Sequence, residues 1–433
     1  MLSLTAMGEN ITFADPHVEA VCVEHWDTDG DGQLSTDEAA AVSSLCRYFT
    51  RDADITSFDE LKFFTGVVKI SSNEFNDCEN LTSIQLPEQL QRIGDNAFRD
   101  CYQLQSIDIP AQVTTIDMNA FCGCFRLSEV TFHEGLNTIG ETAFTSCRAL
   151  QSLDIPASVT SIASSAFRGC SSIASITVHI DNTVYDSRDN CNAIVKTASN
   201  ELMLGCQNTT FPETVTVIGA SAFSGCHKLQ RIDIPEGIVT IGTSAFLGCS
   251  GLTEVLLPAS LTTIGNSAFS ECTRLTNVQL SEGLETIEAA AFRNCRSMKA
   301  ITLPSTLSSL SNNVFYECPA LVEVTVNFST PLSITSTTFS NRTNATLYVP
   351  EGCVQAFRDA KYWRDFYQVL EHPILGDVNH DGFINIYDVT LMIDYILGLD
   401  PTNFHITEAD INDDTFINIY DVTLLIDIIL AKE

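Results

Sequence analysis

Oxygen-bearing side chains alternate along two short stretches near the end of the sequence, 377–388 and 410–421. Calcium takes about six to eight oxygen ligands, and a twelve-residue loop supplies them from positions 1, 3, 5, 7, 9 and 12, with a backbone carbonyl at position 7. Both stretches fit this spacing and are therefore predicted to bind Ca2+. The predicted ligands are Asp377, Asn379, Asp381, Phe383, Asn385 and Asp388 in the first loop, and Asp410, Asn412, Asp414, Phe416, Asn418 and Asp421 in the second.

The two loops differ at position 6, where the chain must bend. Gly382 occupies this position in the first loop, whereas Thr415 occupies it in the second. A β-branched residue is costly at positive φ, so we expect the second loop to be distorted or to bind calcium more weakly. Each loop leads into an apolar run, "VTLMIDYIL" or "VTLLIDIIL", and these runs predict two helices that share one small core.

A third loop of the same kind lies near the N-terminus, in "DTDGDGQLSTDE" (27–38). Gly32 stands at the bend, and flanking helices are expected at 14–26 and 37–46. Because this loop is single, a structural role is favoured over calcium sensing. Its predicted ligands are Asp27, Asp29, Asp31, the carbonyl of Gln33, Ser35 and Glu38, the last as a bidentate carboxylate.

The long middle part of the sequence repeats with a period of 23 residues. Phenylalanines recur at this spacing with one longer interval, and a cysteine follows each of the first ten by three residues. Such self-similarity predicts a solenoid in which each coil contacts only its neighbours. The phenylalanines are Phe75, Phe98, Phe121, Phe144, Phe167, Phe223, Phe246, Phe269, Phe292, Phe315 and, after a step of 24, Phe339.

A typical unit, "LQRIDIPEGIVTIGTSAFLGCSG" (229–251), predicts the structure of one coil. Ile232 and Ile234 alternate as in a strand with one buried face, and the proline that follows ends this strand. "GIVTIG" predicts a second short strand, and "SAFLGC" predicts a tight turn that directs its phenylalanine inward. The regular cysteine spacing favours a column of buried thiols, with disulfides and metal binding as alternatives.

The repeated pattern L-x-x-I-x-[IL]-P-x-x-[LV]-x-x-I-x-x-x-A-F-x-x-C resembles the BspA-like bacterial leucine-rich repeats over about residues 67–350. The resemblance implies an α/β repeat fold, a curved leucine-rich-repeat solenoid with a parallel β-sheet on its concave side. It also implies a secreted or cell-surface protein with a role in adhesion or other protein binding.

The repeat is interrupted once, because 56 residues separate Phe167 from Phe223. The extra residues include 182–212, where "NAIVKTASNELMLGC" predicts a hairpin around Ser199 and Asn200. An insertion in a solenoid either decorates the structure or contributes to binding, and the sequence leaves both readings open.

Both ends of an apolar solenoid need covering. Residues 1–66 are expected to cap the first coil, with the N-terminal loop as part of this cap. After a strand at its start, the stretch 347–371 is predicted to continue as an amphipathic helix within 351–373, which caps the other end. The aromatic residues expected in the core of this cap are Phe357, Tyr362, Trp363 and Phe366.

The paired tail loops, 33 residues apart, resemble the type I dockerin module over residues 375–433. The resemblance implies a small all-α, EF-hand-like domain that carries calcium in both loops and docks onto a cohesin domain of a scaffold protein. Asp394 and Asp427 stand where many cellulosomal dockerins have basic residues, so the charge pattern of the partner should differ. The implied docking residues are Ile386 and Tyr387 in the first copy and Ile419 and Tyr420 in the second, a repetition that would allow two equivalent orientations.

Composition excludes some classes of function. The formal net charge of −33 argues against binding to nucleic acid or to anionic lipid. No apolar stretch is long enough to span a membrane, and "MLSLTAMGEN" lacks the features of a signal peptide. If the chain is secreted, its signal peptide is expected to have been removed before residue 1.

No catalytic motif is recognised in the sequence, because the eight histidines are scattered and the GxSxG, HExxH, P-loop and Rossmann signatures are missing. We therefore expect a non-catalytic, extracellular binding protein. Its solenoid would contact a protein or glycan that the sequence does not identify, and its tail would attach to a cohesin-bearing scaffold. The alternatives are a carbohydrate-binding accessory of polysaccharide degradation and a structural surface protein.

Overall fold

Each 23-residue unit forms one coil of a parallel-strand solenoid, as predicted. The structure, a computed structural model, describes residues 8–372, 374–379 and 383–431. The chain divides into two compact units, of which the first comprises Met1–Val322 and Leu332–Arg342 and the second comprises Glu323–Pro331 and Thr343–Glu433. Among the described residues, none of the helices has the length and apolar character needed to cross a membrane.

Two strands from each coil of the first unit stack in parallel on the equivalent strands of its neighbours. The strand that begins each repeat forms the first column, in which Ile107 is in register with Val130. The first-column strands are Ser57–Phe58, Ser83–Ile84, Ser106–Asp108, Glu129–Thr131, Ser152–Ile155, Ser175–Val178, Arg231–Asp233, Glu254–Leu256, Asn277–Gln279 and Ala300–Leu303. The second-column strands are Lys69–Ile70, Arg92–Ile93, Thr115–Ile116, Thr138–Ile139, Ser161–Ile162, Val217–Ile218, Thr240–Ile241, Thr263–Ile264, Thr286–Ile287 and Ser309–Leu310.

The repeated phenylalanines form a buried spine of stacked rings. Consecutive ring centroids lie 5.0 to 5.6 Å apart in two runs, from Phe49 to Phe167 and from Phe223 to Phe339. Left-handed residues flank most of the rings, such as Asn96 at φ 54° and Asp100 at φ 59° around Phe98. Asparagine, aspartate and glycine tolerate this conformation best, which explains why they recur beside the phenylalanine.

The cysteine column is a ladder of hydrogen-bonded thiols. Each Sγ donates to the carbonyl of the phenylalanine one coil earlier, at 2.9 to 3.3 Å, in nine coils from Cys78 to Cys318. All the cysteines are free, and burial raises the pKa of the Cys272 and Cys295 thiols. The structure therefore favours buried thiols over disulfides or metal ligands.

We expect the native chain to hide its ladder thiols from an aromatic disulfide reagent. Cys46 is exposed and should react fully within minutes, whereas the buried ladder thiols should not react, since a buried, protonated thiol is a poor nucleophile. In denaturant all sixteen cysteines should react. The absorbance of the thiolate released from the reagent gives the number of reactive cysteines in the native and in the denatured chain. Fewer than sixteen reactive cysteines in denaturant would indicate disulfides instead.

The insertion between the two phenylalanine runs adds three antiparallel strands, Tyr185–Asp186, Ile194–Lys196 and Glu201–Leu204. The last two form a hairpin, with the left-handed Asn200 at φ 53° immediately before the returning strand. Glu201–Leu204 then pairs in parallel with Val217–Ile218. The insertion therefore extends the second column.

The N-terminal segment contains two helices, α1 (Pro16–Trp26) and α2 (Thr36–Ala41), and a 3₁₀ turn at Asp59–Phe63. The second helix ends five residues before the predicted end at residue 46, because the chain turns at the left-handed Cys46 and Arg47 to place Phe49 in the spine. The stacked coils thus begin upstream of residue 67.

The second unit begins with three parallel strands, Glu323–Val326, Thr346–Val349 and Gln368–Glu371. The continuous capping helix predicted within 351–373 is wrong. Only α3 (Val354–Asp359) is α-helical; the left-handed Tyr362 and a 3₁₀ turn at Trp363–Asp365 then lead into the last strand. That strand forms its backbone hydrogen bonds with Thr346–Val349. Phe357, Trp363 and Phe366 are buried as expected, whereas Tyr362, also predicted for the core, is only half-buried.

The rest of the second unit is helical: α4 (Ile386–Ile396), α5 (Ile406–Ala409) and α6 (Ile419–Leu430). Helices α4 and α6 share one apolar core, which includes Val389 and Met392 from α4 and Val422 and Leu425 from α6.

Candidate calcium loops and docking surface

Carboxylate oxygens of the second tail loop are positioned by backbone N–H groups of the same loop. Asp410 accepts from the N–H of Asp414 at 3.1 Å through Oδ1 and from that of Thr415 at 2.8 Å through Oδ2. Asp414 Oδ1 accepts from the N–H of Phe416 at 2.9 Å, and Asn412 Oδ1 from that of Asp414 at 3.0 Å. The predicted ligands at positions 1, 3 and 5 therefore surround the same short turn.

Position 12 of this loop is a fully buried aspartate that closes the loop and starts α6. Asp421 Oδ1 accepts from the N–H of Ile411 at 2.9 Å, and Oδ2 from that of Asn418 at 3.0 Å. Asn418 accepts from the N–H of Tyr420 at 2.9 Å, and reciprocal hydrogen bonds between Asn418 and Asp421 form a capping box. Positions 9 and 12 thus join the loop to the first turn of the helix.

The first tail loop repeats this arrangement at its described positions. The fully buried Asp388 accepts from the N–H groups of Val378 at 3.0 Å and Asn385 at 2.9 Å, and Asn385 accepts from that of Tyr387 at 2.8 Å. Asp377 is buried and Asn379 is half-buried, and the carbonyl of Phe383 accepts from the Asn385 amide at 3.3 Å. The predicted ligand Asp381 and the bend residue Gly382 lie outside the described residues.

Thr415 adopts the left-handed conformation that position 6 requires, at φ 69°. The hydrogen bond from its N–H to Asp410 has a counterpart in the N-terminal loop, where the N–H of Gly32, at φ 83°, donates to Asp27 at 2.9 Å. The threonine therefore leaves the bonding pattern of the loop intact, and the expected cost is strain at one residue.

Substitution Thr415→Gly is expected to tighten calcium binding to the second loop by about fivefold, as relief of about 1 kcal/mol of strain in the ordered loop would give. The reciprocal change Gly32→Thr should weaken the N-terminal loop by a similar factor. Calorimetric titration of the full chain with calcium measures both. Unchanged affinity in both variants would contradict the assignment of position 6.

The N-terminal loop brings three predicted ligands together, because carboxylate oxygens of Asp27, Asp29 and Glu38 lie within 4.8 Å of one another. A hydrogen bond from the Asp31 N–H stabilises the ionised form of Asp29 and lowers its pKa. Partial desolvation and repulsion from the neighbouring carboxylates have the opposite effect and are larger in sum, so the pKa of Asp29 is raised. Crowded carboxylates of this kind favour a bound cation, and an all-oxygen donor set fits calcium.

Glu38 at position 12 has the same double role as the buried aspartates of the tail. It accepts from the N–H groups of Thr28 at 2.7 Å and Ser35 at 2.9 Å, and with Ser35 it forms the capping box of α2. Although desolvation opposes ionisation, these hydrogen bonds lower the pKa of Glu38 to about 2. Gln33 is held by two hydrogen bonds. Its backbone N–H donates to Asp31 Oδ1 at 2.8 Å, and its side-chain carbonyl accepts from the side-chain amide of Asn10.

The predicted docking residues lie on the first turns of α4 and α6, where they project from the protein. Ile386, Tyr387, Ile419 and Tyr420 are between 56% and 73% exposed. Sequence reasoning missed Phe383 and Phe416, whose rings are equally exposed beside them. The duplicated "FINIYD" carries the signal, since both copies begin with a phenylalanine next to the predicted docking pair.

Comparison with known families agrees with both resemblances. The profile of the BspA type leucine rich repeat region matches residues 53–191, 201–322 and 274–358, in six copies. The profile of the dockerin type I domain matches residues 375–430. No curated protein matches the chain significantly.

Several solved structures resemble the chain over part of its length. The pneumococcal vaccine antigen PcpA is 20% identical, with 72% of this chain and 78% of that chain covered and a TM-score of 0.55, which shows the fold. A leucine rich cell surface protein from Faecalibacterium prausnitzii is 28% identical over 60% of this chain and 77% of that chain, with a TM-score of 0.48. A leucine-rich repeat protein from Bacteroides ovatus is 26% identical over 65% and 82%, with a TM-score of 0.40.

Repeats and tail together cover most of the chain, and both module types are non-catalytic binding modules. The chain belongs to the BspA type leucine-rich repeat family and carries a dockerin type I domain at residues 375–430.

Proposed function

We propose that this chain is a non-catalytic, extracellular binding protein whose solenoid engages a protein ligand and whose calcium-loaded tail attaches it to a cohesin-bearing scaffold. The observation that supports attachment is the exposed Ile–Tyr pair, presented twice in matching geometry. Each pair occupies positions 10 and 11 of a loop that a buried aspartate closes at position 12, Asp388 or Asp421.

Calcium supplies the positive charge that these loops lack. When it is bound, the carboxylates of the loops no longer repel one another, and the loops stay closed at their N–H contacts. The side chains of Asn385 and Asn418 hold the first turn of each helix. The isoleucine and tyrosine of that turn are then fixed before a partner arrives, which lowers the entropy cost of docking.

The charge of the tail defines the surface that a partner must offer. Asp394 is half-buried and Asp427 is exposed, one turn or more beyond the docking residues on α4 and α6. A matching cohesin carries basic residues opposite these carboxylates and an apolar surface opposite the isoleucines and tyrosines.

Binding of the full chain to recombinant cohesin domains of the producing bacterium tests this proposal. At least one cohesin should bind in calcium, and binding should be lost in chelator and after deletion of 375–433. A chain without this segment that retains full cohesin binding would refute attachment through the tail. Ligands that survive the deletion would belong to the solenoid.

Carbohydrate binding is less well supported by the solenoid. Tyr102 and Phe125 form the stacked, partly exposed aromatic pair of neighbouring coils, with ring centroids 5.1 Å apart. The guanidinium of Arg148 lies 5.0 Å from the centroid of Phe125. Because the Phe125 ring contacts both Tyr102 and Arg148, it is not free to stack on a sugar.

A further inference from the structure

The first column of strands is interrupted beside the insertion. Ser175–Val178 pairs with Ser152–Ile155 on one side, and the next strand of the column, Arg231–Asp233, starts 56 residues later (231 − 175) instead of 23. The coils remain in contact at their turns, where the N–H of Gly169 donates to the carbonyl of Ser224 at 2.9 Å. The insertion therefore separates the two coils only on their strand side.

A groove of about 690 Å³ runs along this interruption. Its floor is the exposed face of Ser175–Val178, and its far wall is the inserted segment 186–190. Ile180 stands at its rim and is 91% exposed, which is unusual for a large apolar side chain. The groove thus combines a polar floor with an apolar anchor point at one edge.

The strand edge in this groove already binds an amide. Asn192 Oδ1 accepts from the N–H of Ile176 at 2.6 Å, and its Nδ2 donates to the carbonyl of Ala174 at 2.9 Å. This carboxamide occupies the place of a peptide group of a neighbouring strand. The N–H of His179 points the other way, to the carbonyl of Ile155 at 2.9 Å, so strand alternation directs the N–H and C=O of Val178 into the groove.

The wall of the groove carries negative charge. Asp189 and Asn190 are exposed, and their left-handed φ values of 58° and 52° are ones that aspartate and asparagine tolerate. The guanidinium of Arg188 does not neutralise Asp189, because it is bonded to Asp186 at 2.6 and 2.7 Å and to Asn200 at 2.8 Å.

We propose that this groove binds an extended peptide segment of a partner protein, which pairs with the strand edge at Val178, next to the Asn192 carboxamide, and places a lysine or arginine against Asp189. This inference rests on the proposed function of the solenoid as a protein-binding array and assigns it a site. Backbone hydrogen bonds to the strand edge provide affinity, while Asp189 and Ile180 select the side chains.

A peptide library tests the proposal on the full chain. Linear random peptides of about twelve residues, displayed on phage, are selected against the immobilised protein. Enriched sequences are synthesised with and without N-methylation at alternate residues, and their affinities are measured by fluorescence anisotropy. Ser175→Tyr fills the groove, and Ser152→Tyr is the matched control, since the two serines are exposed register partners.

Enriched peptides should contain a basic residue, and Ser175→Tyr should weaken them at least about tenfold while Ser152→Tyr changes affinity by less than about twofold. N-methylation should abolish binding, and the isosteric Asp189→Asn, which leaves the groove open, should weaken basic peptides several-fold. Peptides that bind equally well to wild type, Ser175→Tyr and Asp189→Asn would show that the groove is not the binding site. The proposal that the solenoid binds proteins would then still stand. Absence of any enriched peptide would overturn the peptide ligand itself, and tail attachment would be judged by the cohesin experiment alone.

Discussion

Replacing Phe246 with alanine is expected to destabilise the first unit by about 3–5 kcal/mol, the usual cost of removing a fully buried phenylalanine. Its ring is stacked between Phe223 and Phe269, with both centroid distances at 5.0 Å, and it is completely buried. The vacated space lies between two rigid coils. We expect little collapse, because the neighbouring rings are held by their own coils.

Urea unfolding followed by circular dichroism measures this loss. Phe125→Ala is the matched control, because Phe125 is a phenylalanine of the same array that is 39% exposed; it stacks on one ring only, so its loss should cost no more than about 2 kcal/mol. In a solenoid each coil depends on its neighbours, so the buried substitution should also broaden the transition. Equal midpoints for the two variants would show that the spine is not the main stabilising element.

The repeat architecture was predictable because one coil determines the next. Phe75 and Cys78 recur with a fixed period, and that period sets both the stacking of the rings and the register of the strands. Phe49 escaped prediction for the same reason, since it precedes Phe75 by 26 residues and has Asp52, not cysteine, three residues later. Its place in the spine depends on the turn at Cys46 and Arg47, which the repeat pattern does not encode.

The C-terminal cap shows where periodicity is ambiguous. Trp363 and Phe366 lie three residues apart, as on one face of a helix, and both are indeed buried, as is Phe357. The same pattern also fits a short helix followed by a 3₁₀ turn. What decides between them is the unpaired edge of Thr346–Val349, which gains a partner when Gln368–Glu371 forms a strand. Local patterns do not contain this tertiary requirement.

The turns and helix caps of the candidate calcium loops were predictable from residue positions, whereas the groove was not. Oxygen ligands must recur at fixed places in a twelve-residue loop, and the helix cap at Asn418 and Asp421 uses two of the same positions. The groove depends on which column the insertion joins. "NAIVKTASNELMLGC" predicts a hairpin, but nothing in it indicates that Glu201–Leu204 pairs with Val217–Ile218 and leaves Ser175–Val178 with an open edge.

The duplication of the docking residues leads to the second large effect. Replacing Ile386 and Tyr387 by alanine is expected to lower the affinity for a cohesin by only about twofold, because the second copy can still dock and only one of two equivalent orientations is lost. The same holds for Ile419 and Tyr420. Replacing all four residues should weaken binding by at least about a hundredfold, since exposed aromatic and aliphatic anchors carry most of the energy of such interfaces.

Calorimetry with a cohesin that binds the wild-type chain distinguishes these cases. Tyr367→Ala is the control, because Tyr367 is an exposed tyrosine of the second unit outside both docking pairs. The four side chains project from α4 and α6 and not into their shared core, so helix content and calcium affinity should not change. If one pair alone abolished binding, the two copies would not be interchangeable despite their matched loops and caps. The cohesin would then distinguish the two copies by a residue that differs between them. The clearest such difference in the loops is at position 6, where the second copy has Thr415 and the first has Gly382.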